Sequence, residues 1–300
     1  MSVRSGPGLR SGRSAWRTST GGGGNGVFLT DLSGAATLPP LTAAATINHG
    51  VTISSGAATL PALTAAGTMA YAAPGPPVAG YIHWFDPSDT GTITDAGSGK
   101  VSQLNDKSGN GYHATQATDG SRPITGTRTQ NGLNVLDFIS NDNLSATGPG
   151  NAAQPHTYVF VGKNDSAASG TRAAFDALNS GGTQDAGINM RGGVDGTTPT
   201  YYLGAGSDTN TGTADTNAHV WVFIFNGASS KIWIDGVLIS TTNPGSSNGP
   251  GGVRIGDWRG GGAGWDGWIG EFLNYASALS DGDRDSLESY LGTKWGISVT

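Results

Sequence analysis

The sequence carries few groups suited to acid–base chemistry. Its acids are almost all aspartates, and Glu271 and Glu288 are the two glutamates. Glycoside hydrolysis by paired carboxylates needs two of them about 5–5.5 Å apart for retention or about 6.5–9.5 Å apart for inversion. On a strand this requires acids at alternate positions, and no strand-like segment clusters Asp and Glu at that spacing. Glu288 falls in a helical pattern, and Glu271 stands alone in residues 269–273 (IGEFL). The histidines His49, His83, His113, His156 and His219 are scattered, none with a second histidine at zinc-ligand spacing. No Gly-x-Ser-x-Gly elbow falls between a strand and a helix. The glycine runs at 21–24 and 260–262 lack the Lys-Ser/Thr of a phosphate loop. These patterns predict a protein that is not an enzyme.

Sugar recognition needs an aromatic face for the C–H side of the ring and polar groups for its hydroxyls. Residues 257–268 (DWRGGGAGWDGW) have that composition. Trp258 and Trp265 flank a glycine loop, with Asp257, Arg259 and Asp266 beside them, and these five are the candidate carbohydrate-binding residues. The other reading folds the tryptophans back into the core or into a subunit interface. Tyr201 and Tyr202 are a second candidate pair.

The surrounding elements read as β-structure. The chain has 300 residues, with 51 glycines and 14 prolines and only 13% charged residues, where about 25% is usual. Short runs rich in aromatic and β-branched residues at 81–84, 135–138, 157–161, 220–225, 253–255 and 268–275 are bounded by Gly, Asn, Asp and Ser. Two apolar runs at 231–240 meet at Asp235-Gly236, the signal of a type I′ hairpin. One helix closes the sequence. Ser280 can cap it and Asp283 can bond back to the cap amide. Leu287, Tyr290, Leu291 and Trp295 share a face, and Gly296 ends it.

The N-terminal quarter differs. Residues 1–28 are Gly/Ser/Arg-rich without periodicity, and predict an extended or disordered arm unless a partner orders it. Arg4, Arg10, Arg13 and Arg17 precede the first acid, Asp31, although the net charge is −6. The arm is either a solvated tail or a basic anchor for an acidic partner surface. It has Trp16 but no lysine, so it lacks the stacking platform of a nucleic-acid binder. In residues 29–78, the segment 33–47 (SGAATLPPLTAAATI) returns at 55–69 (SGAATLPALTAAGTM) with three differences. Each copy is too poor in apolar mass for its own core. It reads either as a low-complexity linker or as a stalk ordered by copies of the chain or by a partner. Residues 74–77 (PGPP) make a stiff hinge before a domain at 79–300. No apolar run approaches the roughly 20 residues of a membrane-spanning helix. With no cysteine there is no disulfide framework or thiolate metal site. The first residues lack an apolar signal-peptide segment, so an extracellular role would need release by lysis or carriage on a particle.

Several pieces together resemble the concanavalin A-like lectin/glucanase superfamily, in its laminin-G-like form common in virion proteins of tailed phages. They are, in order, 84–89 (WFDPSD), 106–111 (DKSGNG), Arg122-Pro123, 131–138 (NGLNVLDF), 234–236 (IDG), 267–275 (GWIGEFLNY), 278–280 (ALS) and 290–295 (YLGTKW). The resemblance implies a mainly β fold, an antiparallel sandwich jelly roll with a short C-terminal helix, preceded by the repeat-bearing arm. It implies that Glu271 is a structural acid. The superfamily's glucanases use a Glu-x-Asp-x-x-Glu strand, which this chain does not have. Calcium in laminin-G-like domains sits at the sandwich rim, which makes Asp86, Asp89 and Asp106 candidate ligands; the competing reading has them capping their own turns. The repeat also resembles stalk sequence of phage fibres and spikes. The expected role is a non-enzymatic structural or adhesion protein on a virion surface, at head or tail. It would be homo-oligomeric, anchored through Arg4, Arg10, Arg13 and Arg17 to other virion proteins, and would present the sandwich to host surface polysaccharide without nucleic acid or membrane insertion. The alternatives are a free carbohydrate-binding module and a glycoside hydrolase.

Overall fold

The structure, a computed structural model, describes residues 16–19, 26–29, 75–139, 141–165, 173–178, 184–194, 199–247, 249, 251–258 and 264–300. The chain divides into two units, Met1–Ala70 and Tyr71–Thr300. In the first, β1 (Trp16–Ser19) pairs antiparallel with β2 (Gly26–Leu29), placing Arg17 opposite Phe28. The arm reading contained no such hairpin; Thr20, four glycines and Asn25 separate its strands in sequence. Arg4, Arg10, Arg13 and the repeat lie outside the described residues.

The second unit is the expected jelly-roll sandwich. Its strands are β3 (Tyr81–Phe85), β4 (Ile93–Asp95), β5 (Val101–Leu104), β6 (Ala114–Thr115), β7 (Ile124–Gln130), β8 (Leu133–Phe138) and β9 (Leu144–Thr147). They continue with β10 (His156–Asn164), β11 (Ala173–Leu178), β12 (Gln184–Val194), β13 (Pro199–Gly204), β14 (Asp208–Thr213) and β15 (Ala218–Phe225). The last are β16 (Ser230–Ile234), β17 (Val237–Thr242), β18 (Gly252–Ile255) and β19 (Gly267–Tyr275), before α1 (Asp281–Trp295). One sheet runs β17-β16-β15-β10-β19-β8-β7, with β3 also on β19. The other runs β14-β13-β12-β11-β18-β9-β6-β5-β4, and all ladders are antiparallel.

The two sheets are buried differently. In the first sheet Tyr158, Phe160, Trp221, Phe223, Phe225 and Phe272 point between the sheets. The alternate residues Val159, Val161, Val220, Val222, Leu273 and Tyr275 point the other way, into a second cluster with Leu287, Leu291 and Trp295 of α1. Strands buried on both faces read as continuous apolar runs, which is why β10, β15 and β19 stand out in the sequence. The helix is capped as its residues require: Ser280 accepts from the Asp283 amide, and Gly296 ends it at φ 67°. The Asp283 carboxylate takes the Ser280 hydroxyl rather than the cap amide. Asp235 and Gly236 both have positive φ, 52° and 83°, as a type I′ turn needs. The second sheet contributes Leu104, Ala114, Leu144, Ala146, Val253 and Ile255 to the inter-sheet core, and its other side is polar.

Candidate functional site

That polar side follows from alternation. Arg254 lies between inward Val253 and Ile255 on β18, the central strand of nine, so its side chain faces outward. The ladder then aligns one residue per strand across the sheet. Thr94 pairs Gln103, which pairs Thr115, which pairs Ser145. Ser145 pairs Arg254, which pairs Asp176. Asp176 pairs Asn189, and the row continues through Gly204 to Asp208. No position in this row is apolar apart from the glycine. At about 4.8 Å per strand it extends for roughly 38 Å.

Within the row, Arg254 Nε donates to Ser145 Oγ at 3.2 Å, and its Nη1 has no hydrogen-bond partner. Gln103 donates to Asn105 Oδ1 at 2.8 Å. Thr94 and Thr115 are exposed, and Gln103, Ser145 and Arg254 are half-buried. The row mixes donors and acceptors, which suits a ligand made of hydroxyl groups. Among the described residues no helix covers it, whereas α1 seals the outer face of the other sheet.

The loop after β18 rises from the same central strand. Gly256 adopts φ 89°, and a Cβ there would lie 2.3 Å from Phe138 and 2.7 Å from the Asp142 carbonyl. This close approach sets the loop against the turn holding Ile139, which is 54% exposed. Beside it Asp142 accepts the Ile139 amide, and burial raises its carboxyl to about 6.

The five expected sugar-binding residues separate on this loop. Trp258 and Asp266 are half-buried, and Arg259 lies outside the described residues. Trp265 is fully buried, edge-on to Phe160 and Trp221 at 5.6 and 6.3 Å between ring centroids, and its indole N–H reaches the Trp268 carbonyl at 3.4 Å. It presents no face to a ligand and is corrected to the core. Asp257 is 1% exposed, and its carboxylate accepts the Trp258 amide at 2.8 Å, a turn role. Of the Tyr pair, Tyr201 is buried against Trp221.

Asp86, Asp89 and Asp106, the candidate calcium ligands, are each engaged by groups of the chain itself. Lys107 Nζ lies 3.2 Å from Asp86 and 2.9 Å from Asp89, and Lys294 Nζ lies 2.8 Å from Asp86. Asp106 is taken up by the amides of Trp84, Ser108 and Tyr112 and by the Ser108 hydroxyl. Two ammonium groups hold the place of a cation, and among the described residues no group of three His, Asp or Glu is arranged for a metal. Lys294 also binds Glu271 at 2.8 Å, and Glu271 is fully buried. Burial, then the charge of Asp86, hold the Glu271 carboxyl above its ordinary range despite Lys294. Burial acts to raise Asp86 as well, but Lys294, Ser88 and Lys107 outweigh it and hold that carboxyl low. Glu271 thus has the structural place expected of it.

The polar row was missed from sequence. The one local signal is Arg254 between two core residues; the other eight positions come together only through register.

No family model matches the chain, and no curated protein matches it. Among solved structures it is similar to the sialidase of Trypanosoma rangeli, at TM-score 0.50 and 15% identity over 75% of this chain and 34% of that one. It is also similar to domain 4 of an extracellular arabinanase from Geobacillus stearothermophilus, in complex with arabinotriose, at TM-score 0.47 and 14% identity over 70% of this chain and 98% of that one. The ligand-binding domain of botulinum neurotoxin serotype D, in complex with N-acetylneuraminic acid, matches at TM-score 0.48 and 11% identity, over 70% of this chain. The chain spans half of that neurotoxin chain and about a third of the sialidase. At these identities the likeness is one of fold: the second unit is a β-sandwich.

Proposed function

We propose that the sandwich is a non-enzymatic glycan-binding module that takes an oligosaccharide across the outer face of its nine-stranded sheet, with Trp258 at the rim. The observation that carries this is the row of register-paired residues from Thr94 to Asp208, polar at every position but Gly204, on the sheet face that no described helix covers. A binding rather than hydrolytic role is supported by the carboxylates. In the row, Asp176 and Asp208 stand three strands apart, about 14 Å by strand spacing, beyond the roughly 9.5 Å that an inverting pair spans. Glu271 is spent on Lys294, Trp84 and Trp295.

Titration calorimetry with arabinotriose and with a sialylated oligosaccharide, followed by a broader glycan array, tests the reading. These two probes are chosen because similar folds are seen with such sugars. Arg254→Ala should weaken binding about tenfold or more, since a hydrogen bond to a charged group contributes about 1.5–3 kcal/mol. Gln103→Ala should weaken it less, with melting unchanged in both. Absence of binding across the array, or full binding by both variants, would reject it.

A particle-mounted form of this module is favoured by the sequence of the arm. Four arginines precede the first acid, and a duplicated apolar-poor segment follows. In this reading the arm docks on other virion proteins and its repeat gathers copies of the chain. Deleting residues 1–28 should then leave glycan binding intact and abolish copurification with particles. Truncated protein that still copurifies at full stoichiometry would overturn the arm as the anchor.

A further inference from the structure

Three side chains meet where the last turn of α1 reaches the residue after β3 and the middle of β19. Lys294 Nζ lies 2.8 Å from Asp86 Oδ2 and 2.8 Å from Glu271 Oε2. Asp86 is 4% exposed and Glu271 fully buried. Aromatic rings close the site: Trp84 and Trp295 donate their indole N–H groups to the two oxygens of Glu271 at 2.8 and 3.0 Å. The Trp295 and Tyr290 rings flank the Lys294 ammonium at 5.2 and 5.9 Å. An amine, a carboxyl carbon and a second carboxyl that touches the amine are held together with little exposure to water. The glycan reading uses none of them.

We propose that Lys294 and Asp86 join in an intramolecular amide bond, with Glu271 as the catalytic residue that moves the protons. Starting from the ion pair, the Lys294 ammonium passes a proton through Glu271 to the Asp86 carboxylate, which leaves a free amine beside a neutral carboxyl. The Nζ lone pair attacks Asp86 Cγ and forms the C–N bond. Glu271 takes a second proton from that nitrogen and returns it to the departing oxygen. The C–O bond breaks, water leaves and the carbonyl reforms. Ammonium plus carboxylate becomes amide plus water, Glu271 ends as it began, and no further reactant is needed.

Each part has a physical basis. Fixing amine and carboxyl in contact removes the translational cost of a bimolecular step. Burial works against charged groups, but Lys294, Ser88 and Lys107 outweigh it at Asp86 and hold that carboxyl low, so the proton that Glu271 delivers is what makes it reactive. The same burial raises the Glu271 carboxyl and equips it to hold a proton in transit. Lys107 Nζ, 3.2 Å from the same Asp86 oxygen and anchored by Asp89 at 2.9 Å, faces the negative charge that develops on attack.

Intact mass spectrometry of the purified full chain under denaturing conditions reads the bond directly. The expected mass is one water below that of the sequence, and a proteolytic digest should yield a branched peptide joining Asp86 to Lys294. Lys294→Arg keeps the positive charge and should restore the full mass, as should Glu271→Gln. Asp86→Asn should still react and lose ammonia instead of water. Wild-type protein at full sequence mass after prolonged incubation at neutral pH overturns the proposal. So does a lost water that maps to an Asp-Gly step such as Asp235-Gly236 rather than to the branched peptide. The wild-type measurement decides the matter even if a variant fails to fold.

Discussion

Trp84 Nε1 donates to Glu271 Oε1 at 2.8 Å across 187 positions of sequence, joining the first strand of the sandwich to its last. Glu271 then passes to Lys294 and Trp295 of the helix. Removing the carboxylate leaves two indole N–H groups without their acceptor and Lys294 with Asp86 in place of two carboxylates. Breaking a buried pair from one side costs about 3–5 kcal/mol. Glu271→Ala should lose stability on that scale in urea unfolding, and Glu271→Gln less. A loss under about 1 kcal/mol for the alanine variant would show that the network is dispensable.

This network also shows what the sequence displays and what it hides. Segments apolar on both faces, such as residues 157–161 and 220–225, announce themselves as strands, and Asp235-Gly236 announces its turn. β7, β12 and β14 do not. Residues such as 124–130 (ITGTRTQ) and 208–213 (DTNTGT) are polar and threonine- or glycine-rich, because each lies at the edge of its sheet, paired on one side. The polar row is hidden for a related reason. It needs the register of eight consecutive strand pairings, and no local pattern encodes a partner a hundred residues away. The tryptophan loop misled in the opposite sense. Composition places Trp258 and Trp265 alike beside glycine, and only packing separates a rim side chain from a core one.

That separation is measurable. Trp265 fills space between Phe160 and Trp221 and is fully buried. Trp265→Ala should therefore cost about 3–5 kcal/mol, as large aromatic truncations in cores do. Trp258 is half-buried at the loop, and its alanine variant should melt close to wild type while weakening glycan binding. Equal large losses of melting temperature in both variants would place Trp258 in the core as well and remove the rim from the proposed site.

Gly256 offers a test of how the loop is placed. Its φ of 89° and the absence of a Cβ against Phe138 and Asp142 let β18 leave the sheet beside β8. An alanine must adopt a left-handed conformation, costing about 1–2 kcal/mol. It must also push its methyl into a ring that packs the core, at about 1–3 kcal/mol more. Gly256→Ala should lose about 2–5 kcal/mol by these two effects together, and the fluorescence of Trp258 should shift. A variant of unchanged stability would mean that the loop leaves the sheet by another path.

Glu288 gives the sandwich a pH dependence with a definite sign. Its side chain is fully buried on α1, with Oε1 accepting the Gly236 amide at 3.2 Å and Arg284 Nη1 at 3.5 Å from Oε2. Burial raises the carboxyl from 4.5 to about 7, against the pull of Arg284 and Gly236. Between those values the folded chain binds a proton that the unfolded chain has released, so stability falls as pH rises. The contribution is complete below 4.5 and is lost as pH climbs through about 7, a change of up to about 3 kcal/mol at 1.36 kcal/mol per unit. His219 acts in the same direction: burial alone would lower it, but its bonds to Asp235 and Asp215 hold it above its ordinary value, so its support is also lost as pH rises. Glu288→Gln resembles the protonated carboxyl and removes only the Glu288 part. In urea unfolding the variant should match wild type near about pH 5 and exceed it near about pH 8, while the His219 contribution cancels in the difference. A difference between the two proteins that stays constant across that range would show that Glu288 is ionised throughout and that Arg284 satisfies it.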